Sequence, residues 1–169
     1  MRVRSQRGAA LLEFTLAGIP VIFLIISTVQ MGIGMWNYYS LARAVNQTAR
    51  FASLKGSDCS SGTNSCGTTV GALTTMLATN AIGVPRSSLN VTLVTDSGAV
   101  TTCNPVTNCT SNLTAWPPST QSDNARGKKV TITAQYPFQS VLVMFWPGVG
   151  GAQVGTVYFP ASSTQLILF

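Results

Sequence analysis

Residues 9–39 read AALLEFTLAGIPVIFLIISTVQMGIGMWNYY, and Glu13 is the only charged side chain among them. The next charge is Arg43. The uninterrupted apolar part, residues 14–36, is long enough to cross a hydrocarbon core of about 30 Å as a helix. Arg2, Arg4 and Arg7 precede it. The positive-inside rule then puts the N-terminus in the cytoplasm and everything after the span on the far side. Trp36, Tyr38 and Tyr39 fall where an aromatic belt at the far interface belongs. A secretory signal peptide has a shorter apolar core, about 7–15 residues, followed by a small-residue cleavage site. Here the core is longer, it carries a carboxylate near its start, and no A-x-A site follows Trp36.

Glu13 has two readings. A carboxylate at the centre of a spanning helix costs about 2.5–3.5 kcal/mol on insertion scales, and less near an end. On the first reading Glu13 lies close enough to the boundary to reach headgroup water. On the second it has a partner. Gly8 is followed by four apolar residues and then by Glu13 and Phe14, which resembles the processing site of type IV prepilins. A membrane peptidase there cuts after the glycine and leaves Glu as the fifth residue of the mature chain. Cutting between Gly8 and Ala9 creates an ammonium on Ala9, which Glu13 of an incoming subunit can neutralise inside an apolar bundle. Because an unpaired buried charge costs several kcal/mol, such a pair sets register in docking. The leader of residues 1–8, with its three Arg, has no place in a packed helical core. Gly18 and Pro20 predict a loosened or kinked helix near residues 16–20. Gly32 and Gly34, with Ser27 and Thr28, offer small-residue packing surfaces, though ordinary membrane-helix composition accounts for them equally.

Charged residues make up 8% of the 169-residue chain, against roughly 25% in soluble domains. Such a surface suits an exported or packed subunit. The net charge of +6 is scattered, with Lys128 and Lys129 the only adjacent basic pair after the leader. No dense basic stripe exists for phosphates, so no nucleic-acid partner is expected. The chain holds no His and only four acids, Glu13, Asp58, Asp96 and Asp123. That removes His-dependent triads and His-containing metal sites, and no enzymatic activity, metal or cofactor is expected.

The helix should continue beyond the span. Leu41, Ala42, Val45, Ala49 and Ala52 form an apolar stripe at helical spacing, Arg43, Arg50 and Lys55 take other positions, and Gly56 is a stop. A second helix is expected over TTVGALTTMLATNAIGV, with Val70, Leu73, Leu77 and Ile82 on one face and Pro85 ending it. LNVTLVT (89–95) and KKVTITAQY (128–136) alternate as strands do. The end, residues 156–169, supports one or two short strands with Pro160 as a break or edge marker. Residues 101–127 read as a long polar loop. The fold class is α+β, a long N-terminal transmembrane helix and a second helix packed on a small antiparallel sheet.

Cys59, Cys66, Cys103 and Cys109 all follow the span and lie in polar stretches. In an oxidising compartment they read as two disulfides. Four cysteines allow three pairings, and the local one, Cys59 with Cys66 and Cys103 with Cys109, closes two short loops. Residues 141–149 are strongly apolar between Pro137 and Pro147. They are too few to span a bilayer and suit either the core or a turn lying on the bilayer or a partner.

The stretch from Arg7 and Gly8 through Glu13 and Phe14 to Asn46, Ala49 and Arg50 resembles the N-terminal signature of TadE-like proteins. These are minor pilins or pseudopilins of tight-adherence (Flp-type IVb) pilus systems. VTITAQYPF (130–138) is similar to the family's Val-Thr-Val…Tyr-Pro strand. The resemblance implies a pilin-like fold of three parts: leader 1–8, transmembrane helix 9–36 and periplasmic or extracellular domain 37–169. It further implies an inner-membrane location in a bacterium and processing by a prepilin peptidase. Major and minor pilins, membrane lipid and an assembly platform are the implied partners. The soluble part is longer than that of a minimal major pilin, which favours a minor, initiating, tip or adhesive role. The competing function is an uncleaved, single-span surface or periplasmic binding protein.

Overall fold

The computed structural model describes residues 6–57, 67–139 and 156–168. Helix α1, Gln6–Ser53, is 48 residues long and therefore about 72 Å at 1.5 Å per residue. It runs without a break through Pro20 and across the expected boundary at residue 36. Helix α2 (Val70–Asn80) follows, and then strands β1 (Asn90–Thr95), β2 (Val100–Cys103), β3 (Lys129–Gln139) and β4 (Thr156–Leu166). They form one antiparallel sheet in the order β2-β1-β3-β4. The expected α+β architecture is the one observed.

The second half of α1 is held by its heptad-like stripe. Leu41, Val45, Ala49 and Ala52 are fully buried, as are Ala44 and Thr48 between them. They meet Leu73 and Leu77 of α2 and Val91, Leu93, Val130, Ile132 and Ala134 of the sheet in one core. Each fully buried Leu or Ile contributes about 1.5–3 kcal/mol relative to exposure. The top of α1 is tied to the chain's end, where the Leu168 N–H donates to the Ser53 carbonyl at 2.9 Å. Helix α1 stops at Ser53, three residues short of Gly56.

Helix α2 departs from expectation at its C-terminus. Its start is capped by the Thr69 side chain, which accepts from the Ala72 N–H at 3.1 Å. It ends at Asn80, not before Pro85, and Ile82 leaves the buried face for solvent. The cause is tertiary: Gly83 adopts φ +85° and lies against Asn37 and Trp36 of α1, turning the chain early.

The strands also differ in detail. Strand β2, Val100–Cys103, takes in residues 101–103 of the expected polar loop and is turned back from β1 through Gly98 at φ +86°. Strand β3 runs on to Gln139 through Pro137. Its β1 neighbour ends at the Asn90–Gln135 pair, so the proline falls where only β4 remains as a partner. Pro160 interrupts nothing. It sits within the single 11-residue strand β4 at the sheet edge, where a missing N–H is tolerated.

Candidate functional site

The unshielded half of α1 is the outstanding surface. Leu11, Leu12, Phe14, Leu16, Ile19, Ile22, Leu24 and Ile25 are all exposed. The helix is long and apolar enough to cross a membrane, and none of its most apolar window is buried. It is a candidate membrane anchor. Polar side chains on it satisfy themselves locally. Thr15, Ser27 and Thr28 donate to the carbonyls of Leu11, Phe23 and Leu24 at 3.1, 2.7 and 2.8 Å. Such bonding lets hydroxyls sit in hydrocarbon at little cost.

Gly8 lies exposed in the first turns of α1, and Glu13 and Phe14 are exposed on its flank. Ala9 lies one helical turn before Glu13 in α1. No other described element covers this end, so the residues singled out by the sequence stand together on bare helix.

Coverage of α1 begins at Gly34 and Asn37, and two parts of the domain clasp it there. On one side Phe138 of β3 stacks on Phe159 of β4 at 5.5 Å between ring centroids, and Tyr38 meets Phe159 edge-on at 5.9 Å. The two Phe rings close over Gly34. With Ser27, Gln30, Met31, Met35 and Val157, Phe138 and Phe159 line an apolar groove of about 550 Å³. On the other side the turn after α2 brings Ile82 beside Trp36, Tyr39 and Arg43 in a groove of about 410 Å³. Sequence reasoning missed this clasp. Its only signal was the pairing of two aromatic-proline runs, Tyr136-Pro137-Phe138 with Tyr158-Phe159-Pro160.

The domain's described carboxylates, Asp96 and Asp123, lie at the other end of the sheet. Asp123, almost wholly buried, accepts from the Ser97 N–H at 3.0 Å and from the Ser97 hydroxyl. Burial pushes its pKa up, but the hydrogen bonds from Ser97 and Thr95 outweigh that and hold it below the ordinary value. Asp96 pairs with Lys128 at 2.9 Å on the surface, which lowers the Asp96 pKa and raises that of Lys128. Among the described residues no three metal-ligating side chains converge. Cys103, the last residue of β2, is disulfide-bonded to Cys109 in the following 3-10 turn (Val106–Cys109). Cys59, Cys66 and the apolar residues 141–149 lie outside the described residues.

The exposed anchor, its lone carboxylate and the buried stripe above it thus occupy one continuous helix. Residues 8–50 match the TadE-like protein family. The TadE-like segment begins at Gly8, takes in Glu13 and Phe14, and ends three residues before α1 does. The match does not extend to α2 or the sheet, β3 included. No curated protein and no solved structure gives a significant match to the chain.

Proposed function

We propose that this protein is a minor pilin or pseudopilin of a tight-adherence, type IVb-like pilus, a structural subunit rather than an enzyme. Helix α1 holds it in the inner membrane with residues 1–7 cytoplasmic and the sheet domain on the opposite side. Cleavage between Gly8 and Ala9 frees an ammonium at Ala9. Glu13 of one subunit then docks against the Ala9 ammonium of its neighbour while Phe14 and the residues beyond it pack helix to helix. The domain, carried outward, contributes to pilus assembly and adhesion.

One observation carries this reading: a TadE-like helix that leaves Glu13 and every large apolar residue around it uncovered within its own chain. An exposed carboxylate inside an anchor is costly in lipid unless another charge meets it. The test is Glu13→Ala in the native host. Membrane insertion should be unchanged, or slightly favoured, while recovery of the protein in sheared filaments is lost. Normal incorporation of the variant would remove the docking role and leave Glu13 as a headgroup-facing residue only.

A further inference from the structure

The two parts of the domain that clasp α1 do so at one level. Gly83 meets Asn37 and Trp36, and Phe159 meets Gly34, so both contacts fall within a single turn of the helix. Around that turn apolar side chains point outward. Ile82 is 67% exposed and Tyr158 57% exposed, and Trp36, Tyr39, Met35 and Val157 are exposed beside them. Of these, Trp36, Tyr39 and Met35 belong to α1. Ile82 and Tyr158 come from elements far apart in sequence, and core packing explains neither.

Two cations stand at or just above this level, while Arg50, Lys128 and Lys129 lie toward the far end of the domain. Arg43 lines the groove with Trp36, Tyr39 and Ile82, and Arg86 follows Gly83 by three residues, exposed. The described carboxylates of the domain, Asp96 and Asp123, contact Lys128 and Ser97 at the opposite end of β3 from Gln139.

We propose that this collar is a membrane-seating surface, in which Trp36, Tyr39, Ile82, Val157 and Tyr158 enter the phospholipid leaflet facing the domain while Arg43 and Arg86 meet lipid phosphates. The inference rests on the reading that α1 spans the bilayer. Depth follows from hydrogen bonding. Beyond Gln135 strand β3 has lost its β1 neighbour, and β4 is the sheet edge. Unpaired strand edges are not tolerated in hydrocarbon. The collar therefore sits about 5–10 Å into the headgroup and acyl boundary, as interfacial amphipathic elements do, and no deeper. Aromatic side chains with polar tips favour that zone. Seating the domain at two points on opposite flanks of α1 fixes its tilt on the membrane before any assembly step.

The test uses the full chain, one copy per nanodisc, in phosphatidylethanolamine and phosphatidylglycerol. Single nitroxides are placed by Ile82→Cys, Tyr158→Cys, Leu24→Cys and Leu113→Cys, all exposed positions, and the parent chain sets the labelling background. Leu113, at the α2 N-terminal end, is an 84% exposed apolar control away from the collar. Oxygen-over-nickel accessibility at 82 and 158 should exceed that at 113 several-fold and stay below that at 24. Values at 82 and 158 equal to that at 113, with 24 still deep, would overturn the collar while leaving the span intact. Water-like accessibility at 24 as well would bring down the spanning reading and the collar with it.

Discussion

Gly83 and Asn37 lock the end of α2 to the start of the covered part of α1. A β-carbon on Gly83 would stand 2.9 Å from Asn37 Oδ1, at a backbone φ of +85° that side chains rarely adopt. Gly83→Ala should therefore cost about 1–2 kcal/mol for the backbone alone, and more once Asn37 is displaced. Thermal unfolding of the full chain in detergent checks this. An unchanged Tm would mean that the turn is not what closes the α1–α2 clasp.

Asp123 predicts a pH dependence. Its carboxyl titrates below the ordinary value of 3.8 when folded and regains that value on unfolding. Its contribution is thus complete above the unfolded value and is lost as pH falls through the lower, folded one. Asp123→Asn should lower Tm at pH 7, by an amount reflecting hydrogen bonds to a charge worth about 1.5–3 kcal/mol. The gap to the parent should close below about pH 4. Asp96→Asn, which breaks an exposed pair, should change Tm little. A variant gap that is constant from pH 7 to pH 3 would contradict the assignment.

The disulfide between Cys103 and Cys109 closes a loop with a sequence separation of 6. By the chain-entropy relation, replacing both cysteines with Ser should cost about 2–2.5 kcal/mol. The loss should appear chiefly at β2 and its following turn, read by amide exchange. Equal loss of protection across α1 and β3 would show that the bridge holds the whole domain.

How much of this was legible beforehand follows physical lines. Leu41, Val45, Ala49 and Ala52 announce their burial by helical spacing, and Val130, Ile132 and Ala134 by alternation, because local periodicity reports a face. Ile82 continues the apolar face of α2 on paper. Its exposure is decided by Gly83 meeting Asn37, a contact between residues 46 positions apart. Strand β2 escaped because only Cys103 of its four residues is buried, leaving no alternation to read. Asp123 looked like a loop acid since its donors, Ser97 and Thr95, lie far back in the chain. At the membrane end Gly8, Glu13 and Phe14 were singled out by resemblance to a prepilin site, and the fold leaves all three exposed. The clasp of Phe138 and Phe159 over Gly34 was not, since it needs the register of β3 on β4.

The central claim is that the chain is cut after Gly8 and enters a filament. Intact-mass and N-terminal analysis of protein from sheared surface filaments of the native host tests it most directly. A mature chain beginning at Ala9, without residues 1–8, is the predicted result. Protein in those filaments that still begins at Met1 would contradict it.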